Sequence, residues 1–260
     1  MGSRRVRLAI SPCPNDTFMF DAIVNRRIDV GDFDIEVEYL DIEQLNAAAM
    51  ERRYDVTKCS TAILPAIVKH YTLLDSGSAL GRGNGPLLVR REGESVPLRS
   101  IAVPGEHTTA NALVGRLFPD IEYRTPMLFS DIAEAVERGD YDGGVLIHEG
   151  RFVYHRRHLE LVADLGLEWE QRMALPLPLG SIVAARDMNI AKEFEVLLRR
   201  SIKYAFDHPE VSREYVKMHA QELDDGVIDS HITLFVNDFS LSLGDEGRRA
   251  VRALCGCDIE

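Results

Sequence analysis

Residues 143–151 have the sequence GGVLIHEGR, a short apolar run between glycines that ends on His148. A run of this length with glycines at its ends is typical of a buried strand. In α/β proteins, ligands bind at the carboxyl ends of strands, which is where His148 would lie. An imidazole titrates near neutral pH, so His148 is the chain's best candidate for a general base. The alternative interpretation is a partly buried, hydrogen-bonded histidine that only caps the strand.

Strand and helix patterns alternate on both sides of this segment. The predicted strands are residues 7–10, 35–40, 55–59, 87–90, 101–103, 121–124 and the strand that ends at His148. The predicted helices are residues 18–27, 42–53, 60–74, 110–118, 131–138, a helix from the His148 strand to about 161, and then 190–206, 211–221, 226–236 and 245–254. This alternation predicts an α/β fold.

Two interruptions divide the alternating pattern. A polar stretch over 90–99 is interpreted as a first crossing between lobes, and the proline-rich residues 176–180 as the return crossing, since repeated proline opposes regular strand pairing. We therefore expect residues 1–90 to start a first lobe, 91–180 to form a second, and 181–260 to return to the first with a helical carboxyl-terminal region. In such a two-lobed clamshell the ligand lies between the lobes.

Composition excludes several classes of protein. The 260 residues carry a formal net charge of −12, which argues against nucleic acid as a partner. No apolar run approaches the roughly 20 residues of a membrane span, and the amino terminus lacks the apolar core of a secretory signal, so we expect a cytoplasmic protein with reduced thiols. No Cys or His spacing is typical of a metal site, and we predict none. The oligomeric state carries no sequence signal.

Small polar residues at predicted helix starts are candidate anion ligands. Thr108 and Thr109 open a helix after a strand, where unpaired backbone N–H groups and hydroxyls suit a carboxylate or phosphate. Ser60 and Thr61 offer a similar start in the first lobe, with Lys58 as a possible counter-charge. Plain N-capping is the alternative interpretation at both places.

Two further polar residues follow the first strand. Asn15 and Asp16 are interpreted as helix caps that could also face the cleft, where Asp16 would bind substrate hydroxyls. The alternative is ordinary turn chemistry. The residues around His107 do not indicate a role for it. The remaining histidines are expected to lie on the surface or in packing positions; they are His70, His155, His158, His208, His219 and His231.

Five motifs occur in order along the chain. They are SPCPNDTF at 11–18, ALGRG at 79–83 with GPL at 85–87, VPG at 103–105 with HTTA at 107–110, IHE at 147–149 with RF at 151–152, and LPLPLG at 175–180. Together they resemble the 1,4-dihydroxy-6-naphthoate synthases of the futalosine route to menaquinone, from about residue 7 to 254. The part played by the tail with Cys255 and Cys257 is left open.

The resemblance implies a periplasmic-binding-protein-like fold of the second type and a cytoplasmic carbon–carbon lyase with no cofactor. It also implies conversion of cyclic dehypoxanthine futalosine to 1,4-dihydroxy-6-naphthoate, with His148 as proton acceptor. From the helix starts we expect the substrate carboxylate to rest on Thr108 and Thr109, with Ser60 contacting it from across the cleft. Substrate contacts carried over by motif fall on Lys58, Cys59, Ser60, Thr108 and Thr109. Cys59 would contribute its main chain and no thiol chemistry.

Other functions fit parts of the same pattern. A solute-binding protein for a small anion would explain the clamshell without needing a histidine in the cleft. The sister enzyme chorismate dehydratase shares the fold, but it begins differently and lacks the Ile-His-Glu segment. The ligand-sensing half of a transcription regulator is a third alternative, although no helix-turn-helix precedes the first predicted strand.

Overall fold

Two mixed β-sheets, each covered by helices, make up the protein. The computed structural model describes residues 3–148, 150–220 and 224–259. In chain order, strands β1 to β11 are Arg4–Ile10, Phe33–Tyr39, Val56–Ser60, Tyr71–Leu73, Ala79–Gly81, Leu87–Arg91, Ser100–Val103, Tyr123–Pro126, Gly143–Leu146, Leu159–Asp164 and Leu177–Ala185. Helices α1 to α12 are Pro14–Val24, Ile42–Met50, Leu64–Ile67, Thr109–Leu117, Ile132–Arg138, Gly150–Val153, Leu165–Met173, Ala191–Asp207, Pro209–His219, Asp225–Phe235, Asp238–Leu241 and Gly244–Cys255.

The first sheet has the strand order β2-β1-β3-β11-β4, with β5 also paired to β11. Strands β2, β1 and β3 run parallel, whereas β11 is antiparallel to its neighbours. The second sheet has the order β10-β6-β9-β7-β8, in which β9, β7 and β8 are parallel. This arrangement confirms the predicted α/β fold with two sheet-and-helix lobes.

Sheet membership changes at two places along the chain. Strand β6, Leu87–Arg91, belongs to the second sheet, and β11, Leu177–Ala185, belongs to the first. The connections between sheets therefore lie at residues 82–86 and 174–176. We propose that the lobe limits of 1–90, 91–180 and 181–260 be moved to these connections.

The connection at residues 82–86 is tight because Gly85 and Gly166 allow two backbone segments to meet. A Cβ added to Gly85 would lie 2.5 Å from the backbone nitrogen of Gly166, at the start of α7. Any side chain at Gly85 would therefore force the crossing away from the second lobe. These glycines therefore serve close backbone approach between the two segments.

Three secondary-structure predictions are wrong. Helix α1 begins at Pro14, because proline lacks only an N–H that the first helical position does not need, so residues 15–17 lie inside the first turn and not before it. The predicted helix after His148 is short, and Leu159–Asp164 instead pairs with β6 as an edge strand. The helix predicted over 60–74 ends at Ile67 and is followed by a strand.

The proline-rich segment is also different from its prediction. Pro178 lies within β11, opposite Leu80, and the register shifts between Pro178 and Gly180. The bulge accommodates a residue that cannot donate to the strand ladder, which is how a strand continues through proline. The four carboxyl-terminal helices are confirmed, except that the predicted end at residue 221 lies outside the described residues.

Helix α12 packs into the cores of both lobes. Ala250 and Val251 belong to the apolar cluster around α3 in the first lobe, and Leu254 belongs to the cluster around α4 in the second. Arg116 of α4 donates hydrogen bonds of 3.1 Å to the carbonyls of Ala253 and Leu254. The carboxyl-terminal tail is therefore part of the connection between the lobes.

Within residues 3–148, 150–220 and 224–259, no helix has the length and apolar character needed to cross a membrane.

Candidate active site

A cavity of about 100 Å³ lies between the lobes, where parallel strands of both sheets end. Strands β1 and β3 supply the first side, and β7 and β9 supply the second. This is the strand end at which α/β proteins bind ligands. Six of the predicted site residues line it, namely Asn15, Lys58, Ser60, Thr108, Thr109 and His148.

The position of His148 depends on the glycines of β9. A Cβ on Gly144 would lie 2.5 Å from Ile132 of α5, so only glycine lets this helix pack closely on the strand. The backbone then turns sharply, and His148 adopts a left-handed φ of +52°. Such a conformation is uncommon for a residue with a side chain, and where it occurs it often marks a functional site. The turn brings the imidazole back over the cavity.

The surroundings of His148 keep its imidazole neutral. Its ring packs edge-on against Phe129 with centroids 4.9 Å apart, and Cys13 Sγ lies 3.3 Å from its Nδ1. Burial and the nearby Lys58 ammonium lower the pKa of His148 to about 4, against a smaller opposing effect of Asp16. The imidazole is therefore unprotonated at neutral pH, which is the form that a general base requires.

On the first-lobe side, a buried ion pair is held by a network of hydrogen bonds. Lys58 pairs with Asp16, and both side chains are almost completely buried. Asp16 also accepts from the backbone N–H and the hydroxyl of Ser11, at 3.1 and 2.7 Å, and from Asn15 Nδ2 at 2.8 Å. The carboxylate thus has several donors, as a buried charge needs. Asp16 does not itself line the cavity.

Ser60 and Cys59 differ in where their side chains lie. Asn46 contacts Ser60 twice, since its Nδ2 donates to the hydroxyl at 3.0 Å and its Oδ1 accepts from the backbone N–H at 2.8 Å. Ser60 borders the cavity, whereas the Cys59 thiol packs in the first-lobe core. Burial raises the pKa of Cys59 to about 12, so the thiol stays protonated.

The two threonines at the start of α4 have different tasks. The Thr108 hydroxyl caps the helix by accepting from the N–H of Asn111 at 3.2 Å. The Thr109 hydroxyl joins the lobes, because it accepts from the N–H of Ala62 at 3.2 Å and donates to the carbonyl of Leu179 at 2.8 Å. The hydroxyls are thus engaged, and the first-turn N–H groups are what the helix start offers an anion.

Further contacts hold the lobes together. His107 Nδ1 lies 2.6 Å from a carboxylate oxygen of Glu43, which also accepts from the backbone N–H of His107. With the Thr109 bridge and the contact of Cys13 to His148, these interactions close the cleft. The cavity volume is below the roughly 300–1,000 Å³ of most ligand sites, so we expect the lobes to separate before a large ligand enters.

Sequence reasoning missed three residues of this site. Arg151 lines the cavity, with Nη1 donating to Gly85 O at 2.6 Å and Nη2 paired to Asp164 at 3.0 Å. Cys13 follows β1, a position that could have singled it out. His231 of α10 was expected to be a surface or packing residue, and it lines the cavity instead. The helical pattern around His231 gave no signal, because its hydrogen-bond partner Asn15 lies more than 200 positions away in the sequence.

No metal centre is apparent in the part of the chain that the structure describes. Within residues 3–148, 150–220 and 224–259, no group of three or more His, Cys, Asp or Glu side chains is placed to hold an ion.

Comparison with known proteins places the chain in a family. A family model described as menaquinone biosynthesis matches residues 6–257. A relative from Thermus thermophilus, named 1,4-dihydroxy-6-naphtoate synthase, is 44% identical over 96% of this chain and 92% of its own length. A relative of the same name from Streptomyces coelicolor is 40% identical over 98% of this chain and 93% of its own.

Solved structures agree with the fold. Protein AF1704 from Archaeoglobus fulgidus has a TM-score of 0.89 at 32% identity, covering 96% of this chain and 95% of that one. The CA3427 product of Candida albicans, described as having the generic periplasmic binding protein fold, has a TM-score of 0.69 at 12% identity over 97% and 89% of the two chains. The chain therefore has a periplasmic-binding-protein-like fold and belongs to the menaquinone biosynthesis family.

Proposed function

We propose that the protein is a cytoplasmic carbon–carbon lyase that converts cyclic dehypoxanthine futalosine to 1,4-dihydroxy-6-naphthoate. The observation that carries this proposal is the position of His148 in a cavity between the two lobes, where burial lowers the pKa of its imidazole. The two relatives at 44% and 40% identity, named for this product, support the choice of substrate.

In the proposed reaction, a ring nitrogen of His148 removes an acidic proton from the bound substrate. Elimination and ring opening then release the sugar-derived fragment, and the gain of an aromatic naphthoate helps to drive the step. Positioned proton transfer contributes about 10²–10⁴-fold to the rate, and orientation in the closed cleft contributes more. The low pKa keeps the base unprotonated until substrate arrives.

The substrate carboxylate is proposed to rest at the start of α4. The backbone N–H groups of Thr109 and Ala110 lie in the first turn of α4, where N–H groups have no acceptor within the helix. Ser60 faces the same cavity from the first lobe and would contact the carboxylate from across the cleft. The main chain at Cys59 and the Lys58–Asp16 pair complete the first-lobe side, where Asp16, which does not line the cavity, holds Lys58 in place.

Purified protein incubated with cyclic dehypoxanthine futalosine tests the reaction, with the product identified by mass. His148→Asn is the informative variant beside His148→Ala, because asparagine tolerates a left-handed backbone and preserves the fold. We expect product from the wild type and at least a 10²-fold lower rate from either variant.

The other outcomes separate the alternatives. Product formed equally by the His148 variants would remove His148 from the reaction. Absence of product, with tight binding of small anions, would favour a solute-binding protein. Turnover of chorismate would identify a chorismate dehydratase.

A further inference from the structure

A second imidazole lies in the cavity, and the proposed reaction does not use it. His231 of α10 is 1% exposed, and its ring stacks on that of His148 with centroids 6.1 Å apart and planes at 16°. Phe235 packs edge-on against the same ring at 4.9 Å. His231 is thus held in one orientation beside the proposed base.

The hydrogen bonds around His231 determine which ring nitrogen carries its proton. The amide Nδ2 of Asn15 donates to the Asp16 carboxylate at 2.8 Å, so the amide oxygen of Asn15 points the other way. That oxygen lies 3.1 Å from Nε2 of His231. Since an amide oxygen only accepts, Nε2 must carry the hydrogen and donate it. Nδ1 of His231 is therefore an unprotonated acceptor.

This acceptor has no partner among the residues that the structure describes. Nδ1 of His231 is buried and receives no hydrogen bond from residues 3–148, 150–220 or 224–259. A buried polar atom without a partner is unfavourable, and a donor from a bound molecule or an ordered water would remove that cost. Because His231 lines the cavity, the donor can come from a bound molecule.

The charges nearby select the kind of donor. Burial, together with the positive charges of Lys58 and Arg151 and the neighbouring His148, lowers the pKa of His231 well below its usual value, so the ring is neutral. A cationic donor would be repelled by Lys58 and Arg151. An anion would meet the lone pair of Nδ1. A neutral hydroxyl avoids both conflicts.

We propose that His231 determines substrate specificity by accepting, at Nδ1, a hydrogen bond from a hydroxyl group of the substrate. This inference rests on the proposed function, whose substrate carries hydroxyls on its sugar-derived part. Asn15 and Asp16 then act as positioning residues, because they hold the ring in the tautomer that leaves Nδ1 free.

Three variants separate an acceptor from a packing residue. In His231→Asn, the side-chain carbonyl falls near the position of Nδ1 and keeps an acceptor there. In His231→Gln, the amide falls near the position of Nε2 and keeps the donor to Asn15. His231→Phe keeps the ring and removes both functions. Circular dichroism and thermal unfolding establish that each variant is folded.

Substrate binding is measured in the His148→Asn background, where turnover is suppressed. Titration with cyclic dehypoxanthine futalosine is expected to show that His231→Phe and His231→Gln raise Kd by about 10–100-fold, and that His231→Asn raises it by less than about fivefold. In the single His231 variants, which retain His148, kcat/KM should fall below the wild-type value in the same order.

Two results would overturn the assignment. If Asn and Gln impair binding equally, or if Gln is better than Asn, the role of His231 is to support Asn15 and not to accept from substrate. If Kd is unchanged in all three, His231 does not contact substrate. Failure of the proposed function is distinct from both, because the His148→Asn protein would then not bind this substrate and the wild type would not turn it over.

Discussion

The two walls of the cleft are built differently. On the first-lobe wall, Asp16 and Lys58 form a buried ion pair, and among the described residues its hydrogen-bond partners belong to that lobe. On the second-lobe wall, His148 and Thr109 reach their partners Cys13, Ala62 and Leu179 across the cleft. The ion pair therefore keeps its partners without the second lobe, whereas His148 and Thr109 have theirs only on closure.

This difference assigns separate tasks to the lobes. A wall with internally satisfied charges keeps its shape when the lobes part, so it can present a fixed surface to an incoming ligand. A wall whose side chains bond across the cleft gains its geometry only on closure, when water is excluded and the base is in place. Variants on the two sides should therefore fail in different ways.

The largest effect is expected from Asp16→Ala. The substitution leaves the ammonium of Lys58 buried and without its carboxylate, which costs about 3–5 kcal/mol of unfolding free energy. Urea unfolding monitored by circular dichroism measures the loss.

Two controls accompany this variant. Glu36→Ala breaks an exposed pair with Arg5 and should leave the unfolding free energy almost unchanged. The double variant Asp16→Asn with Lys58→Met should be more stable than Asp16→Ala, because no charge remains buried. If Asp16→Ala were no worse than Glu36→Ala, the first wall would not be a rigid charged network.

The second expectation concerns pH. The pKa of His148 in the folded protein is about 4, against 6.5 for an unperturbed histidine, and that of His231 is also lowered. As the pH falls below 6.5, the unfolded chain binds these protons first. The contribution of these two histidines to the unfolding free energy is therefore fully present above pH 6.5. It is lost as the pH falls toward 4.

Ring resonances of His148, assigned by comparison with His148→Asn, give its pKa by NMR titration. A titration near 6.5 would contradict the desolvated environment. Burial lowers the pKa of His148 more than the Lys58 charge does. His148 should therefore still titrate below 6.5 in the double variant that removes Lys58 and Asp16.

Substitutions of Thr109 and Thr108 are expected to have smaller effects, which differ between the two residues. Thr109→Val keeps the shape of the side chain but unpairs Ala62 N and Leu179 O, which should cost about 1–3 kcal/mol in the closed state. Thr108→Ala removes a helix cap and should cost about 1 kcal/mol of stability.

Small-angle X-ray scattering of the ligand-free protein distinguishes the two threonine variants. Thr109→Val should increase the radius of gyration, and Thr108→Ala should not. Equal scattering from both would show that Thr109 does not hold the lobes closed.

The smallest effect is expected at Cys13. Its thiol contacts Nδ1 of His148 and can orient the ring. Cys13→Ala should lower kcat a few-fold, whereas Cys13→Ser, which keeps a donor of similar size, should stay closer to the wild type. A loss as large as that of His148→Asn would instead make the thiol a participant in the reaction.

The sequence was informative where the chemistry is local. The apolar run ending at His148 and the helix start at Thr108 were both predictable, because strand ends and helix caps have residue signatures within a few positions. The course of the chain through Pro178 was not predictable, because a bulge against β5 decides it. Strand β10 was missed because a short apolar run satisfies helical and strand periods alike.

His231 could not have been found in this way. Its role depends on α10 packing against the first turn of α1, and its acceptor state depends on Asn15 and Asp16. Neither relation leaves a pattern near residue 231. Residues whose function comes from distant partners are those that a single sequence conceals.

The left-handed backbone at His148 implies a conflict between folding and function. A non-glycine residue with a φ of +52° costs on the order of 1–2 kcal/mol of conformational energy, which glycine would avoid and asparagine would reduce. A screen for heat resistance alone should therefore tolerate or even enrich such replacements at position 148 while the proposed activity disappears. Only selection that demands turnover would keep histidine there.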